Sequence, residues 1–262
     1  MINRPFGITV VIPAYGRREE IVRAIESING PANQVEIIVV DDASPEDLRL
    51  FLPDANSAGL PIRSYRLSRN RGPQAARNLG IRRAGFSHVA FLDSDDAFIS
   101  GKCAKVLASL DGGSVDVLLH TVGGMERYSR FLRWWQCRAP GLPLRWLASA
   151  YNPVSPNALV VRRRPRLGLE RLRHCEDYAF LLRYLEPDTL VRFLDEDLAT
   201  VHRAPGSKGG LSGDRRKMRK GEFQARKVLL RHPTADNITR YVIGTVFGCA
   251  RVLNDVLRGR YF

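Results

Sequence analysis

Uninterrupted apolar runs and helical stripes alternate along the first hundred residues. Gly7-Ile8-Thr9-Val10-Val11-Ile12-Pro13 is a β-branched run of the kind found in parallel strands covered on both faces. It breaks at Pro13-Ala14-Tyr15-Gly16. Ile21, Ala24, Ile25 and Ile28 then recur at helical spacing and stop near Asn29-Gly30-Pro31, predicting an amphipathic helix. Val35-Glu36-Ile37-Ile38-Val39-Val40 is a second buried strand, ending in Asp41-Asp42-Ala43-Ser44. Ser44-Pro45-Glu46-Asp47 reads as a helix start, with Ser as cap and Pro at the first position. A third strand over 61–67 leads to a helix over 73–81 that closes near Ala84-Gly85, and a fourth strand, His88-Val89-Ala90-Phe91-Leu92, follows. Strand, helix, strand, helix is the alternation of an open α/β fold with a mostly parallel central sheet flanked by helices.

Beyond residue 100 the alternation blurs. Strands are expected over 115–121, 157–161, 191–194 and 198–202, and a helix from about 176. Residues 126–147 gather all three tryptophans, Trp134, Trp135 and Trp146, among Arg127, Arg130, Arg133, Arg138 and Arg145. Such a mixture suits a membrane interface, an acceptor pocket with stacking faces, or a packed helix with solvated arginines. Residues 204–213 are glycine-rich and Arg215-Arg216-Lys217-Met218-Arg219-Lys220 is basic, so 206–262 reads as a flexible basic loop followed by a helical tail. The tail carries an apolar stripe of Ile238, Tyr241, Val242, Thr245, Val246, Cys249, Val252, Leu253 and Val256, long enough to pack on the body, dimerise or lie on a membrane.

Charge narrows the partners. The 262 residues hold 41 Lys+Arg against 27 Asp+Glu, a formal net charge of +14, which favours polyanions: nucleic acid, anionic membrane or phosphorylated substrate. A hydrophobic content of 44% sets disorder aside. Cys103, Cys137, Cys175 and Cys249 follow no metal or disulfide spacing and read as reduced thiols. No signal peptide pattern or membrane-length apolar run stands out, so a cytoplasmic location is expected.

The candidate chemistry begins where the fourth strand ends, in Asp93-Ser94-Asp95-Asp96. Residues two apart on an extended chain face the same way, so Asp93 and Asp95 can address one partner. Clustered carboxylates suit a hard cation, Mg²⁺ or Mn²⁺, held by one or two carboxylates plus substrate phosphates. Tyr15, Asp42 and Asp95 each follow the end of a different strand, where open α/β sheets bind ligands. Arg69, Arg71 and Arg77 gather at a helix N-terminus that itself favours anions.

Taken together, Val11-Ile12-Pro13-Ala14-Tyr15, Val39-Val40-Asp41-Asp42-Ala43-Ser44, Ala76-Arg77-Asn78-Leu79-Gly80 and Phe91-Leu92-Asp93-Ser94-Asp95-Asp96 resemble, in order and spacing, the family-two glycosyltransferases of GT-A fold. The resemblance is close over the first hundred residues and loose over the next hundred. It implies a nucleotide-sugar-binding half over 1–100 and an acceptor-binding half of the same domain over 101–205. It implies that Pro13, Ala14 and Tyr15 flank the nucleotide base and that Asp42 accepts a hydrogen bond from it. Arg77 would contact base or diphosphate, and Asp93, Ser94 and Asp95 the donor. Asp95 would be the principal metal ligand, aided by Asp93 and His202. Gly16 stands where the family often has Asn, which would loosen the nucleotide loop.

In His174-Cys175-Glu176-Asp177-Tyr178, the Glu-Asp pair opening a helix resembles the family's second-half signature. It makes Asp177 the general base of an inverting reaction and Glu176 an acceptor contact, beside Trp134 and Trp135. Asp41 and Asp42 can also serve as turn caps, and Glu176 and Asp177 as helix-dipole partners. The resemblance implies transfer of a sugar from a nucleotide-diphosphate donor, UDP-sugar foremost, to a hydroxyl. The charge and aromatic segment favour a lipid-linked glycan acceptor in surface or exopolysaccharide synthesis, peripheral contact with the cytoplasmic face of the inner membrane, and a possible homodimer. A non-catalytic protein of the same fold, binding polyanions through its basic surface, is the alternative. No nucleic-acid module is recognisable, and a nucleotidyltransferase would want a Gly-rich phosphate loop where Pro13-Ala14-Tyr15 stands.

Overall fold

A computed structural model of the protein describes residues 4–139, 141–153, 155–164, 167–202 and 214–258. The chain forms two compact units. The first comprises Met1–Arg130, Ser155–Gly168 and Thr189–Arg203; the second comprises Phe131–Val154, Leu169–Asp188 and Ala204–Phe262.

The first unit holds an eight-stranded sheet. Its strands are β1 (Ile8–Ala14), β2 (Val35–Asp41), β3 (Ile62–Arg66), β4 (His88–Phe91), β5 (Ala97–Phe98), β6 (Val117–Gly123), β7 (Leu159–Arg162) and β8 (Val191–Thr200), in the order β3-β2-β1-β4-β7-β6-β8-β5. The β3-β2-β1-β4 half is parallel throughout, β6 pairs parallel with β8, and β7 and β5 run antiparallel to their neighbours. The continuous runs predicted β1 and β2, and every residue of both strands is buried. Helix α1 (Arg18–Glu26) turns Ile21, Ala24 and Ile25 to the core. Helix α2 (Pro73–Arg83) lies close to β1 because Gly80 has no side chain: a Cβ there would meet Val11 Cγ1 at 2.3 Å. Helix α3 is Lys102–Ser109.

Two expectations fail here for identifiable reasons. Ser44 starts no α-helix; its hydroxyl and N–H both donate to Asp41 Oδ1, at 2.6 and 2.8 Å, and only one 3-10 turn, Leu48–Leu50, follows, capped by Asp47. The two strands expected over 191–202 are one, because β8 runs through Asp195-Glu196-Asp197 with an irregular register against β6.

The second unit is helical. Helix α4 (Glu126–Arg138) enters it from Phe131, and α5 (Leu144–Ala150), α6 (Glu176–Tyr184), α7 (Arg215–Arg226) and α8 (Ala235–Leu257) complete it. Tyr178 on α6 donates its hydroxyl to the Ala148 carbonyl at 2.6 Å, and Arg226 on α7 donates Nε to the Ser149 carbonyl at 3.0 Å. The glycine-rich stretch 204–213 lies outside the described residues, whereas Arg215-Lys220 forms the first turns of α7, capped by Asp214. The stripe on α8 is present but faces outward; the buried positions of that helix are Arg240, Gly244, Gly248 and Asp255.

Candidate active site

Leu92 leaves β4 with its N–H on the Val11 carbonyl, at 3.1 Å, and the chain then turns sharply. Asp96 donates its N–H to the Asp93 carbonyl at 3.0 Å, closing the acidic turn. Five residues anchor it. Arg77, buried on α2, pairs with the Asp93 carboxylate at 2.5 Å. Asn157, just before β7, accepts the Asp93 N–H on Oδ1 at 2.8 Å and donates Nδ2 to Asp96 Oδ2. Asp96 Oδ1 accepts the His202 N–H at 2.9 Å. Arg17 reaches Asp95 Oδ2 at 3.3 Å, and Arg23 donates to the Asp95 carbonyl at 3.2 Å.

Burial pushes the Asp96 carboxyl up to about 6, against the His202 and Asn157 hydrogen bonds, and the neighbouring Asp93 and Asp95 charges add to the rise. Behind Asn157 lies a buried lysine. Lys102 on α3 donates to the Asn157 carbonyl at 2.7 Å and sits over the Phe98 ring. Burial holds Lys102 well below the ordinary lysine range, and holds the nearby His120 well below that of histidine.

The ends of β1 and β2 are tied to the same region. Ala14 and Asp41 are register partners, and the Ala14 carbonyl accepts the Asp42 N–H at 2.8 Å. Asp42 spends its two oxygens on the N–H groups of Arg71 and Gly72, at 2.8 and 2.7 Å, fixing the loop that opens α2. Burial raises the Asp42 pKa, those two hydrogen bonds oppose the rise, and the Asp41 charge adds to it. Gly16, at φ +62°, donates its N–H to Ser44 Oγ at 2.8 Å, so the position expected to be loose is tethered to the turn after β2. Pro13 and Ala14 are buried in β1, Tyr15 is half exposed, and Ser94 is half-buried on the acidic turn.

The first unit thus brings together the ends of β1, β2 and β4 with Arg77 of α2. Sequence reasoning missed Asn157, Lys102 and Arg17. Asn157 read only as the first residue of a strand, Lys102 lies on a helix the reading did not single out, and Arg17 gave no signal beyond its charge.

The remaining candidates belong to the second unit. Cys175 adopts a left-handed conformation, φ +61°, which starts α6 abruptly with Glu176 and Asp177 in its first turn. Asp177 Oδ1 accepts the Tyr178 N–H at 2.7 Å, and Glu176 is buried. Carboxylates at this end of a helix are favoured by its dipole. Trp134 is half exposed and stacks near Phe131, with ring centroids 6.3 Å apart. Trp135 is buried with its indole N–H on the Leu142 carbonyl at 2.9 Å, so it offers packing, not a free face.

The donor set of the acidic turn fits a hard, oxygen-seeking cation: two partly exposed carboxylates, Asp93 and Asp95, on one turn. Among the described residues no three His, Cys, Asp or Glu side chains gather as a cage. His202 meets the turn through its backbone N–H, and its side chain is exposed. A cation held by these two carboxylates would take its remaining ligands from water and a bound phosphate.

The family model described as "Glycosyl transferase family 2" matches residues 9–164, well over half the chain, and the chain belongs to that family. It is 33% identical over 136 residues to the succinoglycan biosynthesis protein ExoO of Rhizobium meliloti, covering 50% of this chain and 38% of that protein. It is 31% identical over 113 residues to a GalNAc(5)-diNAcBac-PP-undecaprenol beta-1,3-glucosyltransferase of Campylobacter jejuni, covering 42% and 36%. The chain spans well under half the length of these curated relatives. The fold is GT-A. TarS 1-349 of S. aureus in complex with UDP-GlcNAc superposes with a TM-score of 0.66 at 19% identity, over 92% of this chain and 71% of that one. The mannosyltransferase PcManGT of Pyrobaculum calidifontis, in complex with GDP-Man and Mn²⁺, gives 0.63 at 16%, over 97% and 76%.

Proposed function

We propose that this family member is an inverting glycosyltransferase that moves a sugar from a uridine-diphosphate donor to a hydroxyl of a lipid-linked glycan. The observation that carries the donor half is the acidic turn after β4 paired with Arg77 of α2, a helix whose opening loop Asp42 holds at the end of β2. Tyr15, with the Pro13-Ala14 backbone, flanks the base. Asp42, besides holding the Arg71-Gly72 loop, accepts from it. Arg77 and the turn 93–95 meet the diphosphate end. Asp93 and Asp95 would hold Mg²⁺ or Mn²⁺, with His202 beside them, and the bound cation would supply neutralisation of charge on the leaving diphosphate. TarS bound to UDP-GlcNAc supports a uridine donor, and PcManGT bound to Mn²⁺ supports the cation.

In the transfer, the acceptor oxygen attacks the anomeric carbon as the bond from that carbon to the diphosphate oxygen breaks. Asp177 takes the hydroxyl proton, and the diphosphate leaves with the bonding electron pair. Glu176 and Trp134 meet the acceptor, Trp134 by stacking on a sugar face, and Trp135 supports it from the interior. The name of the Campylobacter relative and the net charge of +14 support an anionic, polyprenyl-diphosphate-linked acceptor at the cytoplasmic face of a membrane. ExoO supports a place in exopolysaccharide synthesis. The test is transfer from a panel of UDP-sugars to a synthetic polyprenyl-diphosphate glycan, with Asp177→Asn alongside. Product from the wild type, with product lost but UDP binding kept in the variant, is the expected result. Equal turnover by both would remove Asp177 from its role.

A further inference from the structure

Helix α8 is amphipathic in reverse. Its polar side is the one bolted to the protein. Arg240, 2% exposed, donates to Ser149 Oγ and to the carbonyls of Leu185 and Leu182, at 3.2, 3.1 and 3.2 Å. Arg251 donates to the Ala150 carbonyl and to Glu222, and buried Asp255 accepts from Arg219 at 2.9 Å. Gly244 and Gly248 complete that side: a Cβ on Gly244 would meet the Ser149 carbonyl oxygen at 2.4 Å, and one on Gly248 the Phe223 ring at 2.9 Å. The helix cannot roll without breaking these contacts. Its opposite side therefore stays in solvent, with Ile238, Val242, Val246, Cys249, Leu253 and Leu257 exposed along its length.

No charged side chain interrupts this face, since Arg251, the one charged residue between Tyr241 and Asn254, is turned inward. Exposed cations flank the helix in the chain: Lys227 and Arg231, the latter paired with Glu170, precede α8, and Arg258 follows it. Helix α7, packed against α8, shows Arg215, Arg216, Lys217 and Lys220 to solvent.

A second copy of the chain is a poor occupant. A 23-residue helix is about 35 Å long and about 10 Å wide, so a helix-on-helix contact covers roughly 350 Å² per partner, against the ~800 Å² of a stable interface. Two copies of charge +14 also repel. An anionic bilayer has neither difficulty: the apolar face sinks to the headgroup boundary and the flanking Lys and Arg meet lipid phosphates. Among the described residues no helix is long and apolar enough to cross a membrane, so α8 would lie on the surface.

We propose that the outward face of α8 is an anionic-phospholipid docking surface, which deepens, and rests on, the reading of a membrane-borne acceptor. The test is flotation of the full chain with vesicles of phosphatidylcholine alone or mixed with phosphatidylglycerol, for the wild type and for Val246→Asp with Leu253→Asp. Both positions are solvent-exposed, and Val246→Ser with Leu253→Ser is the milder control. The wild type is expected to float with the anionic vesicles, less so at high salt, and the aspartate pair to lose about tenfold in binding. Unchanged binding by the aspartate pair, or no flotation of the wild type, overturns the proposal. So does a wild-type dimer in light scattering that the aspartate pair dissociates, which would assign the face to a second copy. UDP binding, measured on the same samples without vesicles, separates failure of the docking surface from failure of the donor site.

Discussion

Asn157 accepts the backbone N–H of Asp93 on its side-chain oxygen at 2.8 Å, so a residue preceding β7 sets the path of the acidic turn after β4. The same carboxamide donates to Asp96, and the Asn157 carbonyl receives Lys102. Asn157→Ala leaves the half-buried Asp93 N–H and the buried Asp96 carboxylate without this partner. It is expected to cost about 1–3 kcal/mol of stability. The Kd for UDP with Mn²⁺ should weaken about tenfold if the turn loses its shape. Thermal unfolding and titration calorimetry on the same preparation check both effects.

Arg77 is nearly fully buried and faces Asp93 from α2. A lysine keeps the charge but loses the planar fork that orients a carboxylate or a phosphate. Arg77→Lys is expected to lower kcat/KM for the donor by about tenfold to a hundredfold, with the folded state retained. Steady-state kinetics at varied donor concentration, with circular dichroism as a folding control, read this directly.

Gly80 lets α2 approach β1, and α2 carries Arg77. In Gly80→Ala, the new methyl group would stand at 2.3 Å from Val11 Cγ1, so helix or strand must shift. A loss of about 1–3 kcal/mol is expected, with weaker donor binding by the surviving folded protein. Val11→Ala in the same chain opens room for the methyl group and should recover part of the binding.

Lys102 is buried, with the Asn157 carbonyl and the Phe98 ring as its partners, and burial lowers its pKa below the ordinary lysine value. The unfolded chain keeps the proton up to about pH 10.4 whereas the folded chain gives it up earlier. Between those values the unfolded state binds more protons, so stability rises with pH through that window. Lys102→Met abolishes this contribution. It should be more stable than the wild type near pH 7, by about 1–2 kcal/mol, with the difference shrinking toward pH 10. Denaturant midpoints across that pH range check the sign.

Much of this was legible in the residues because burial on both faces leaves a plain mark. β1, β2 and β4 read as apolar runs, and the polar residues that follow them, Tyr15, Asp42 and Asp93-Ser94-Asp95, mark where the chain leaves the sheet. What periodicity cannot carry is the identity of a partner far along the chain. Asn157 is 64 residues from Asp93, and nothing local to either announces the bond. Ser44 beside Pro45 looked like a cap because a serine hydroxyl serves a helix or a preceding aspartate equally well, and here Asp41 holds it. The stripe on α8 was visible, but a stripe does not say which side is inward. Gly244, Gly248 and Arg240 on the opposite side were the residues that carried the answer.

If the acidic turn after β4 forms the metal-assisted donor site, calorimetric titration of UDP, with and without Mn²⁺, into the wild type and Asp95→Ala reads it out. Binding that requires Mn²⁺ in the wild type and falls at least about tenfold in the variant is the expected result. Absence of UDP binding by the wild type with and without Mn²⁺, or equal Mn²⁺-dependent binding by Asp95→Ala, would contradict it. The first outcome would also bring forward the reading of a polyanion-binding protein on the same fold.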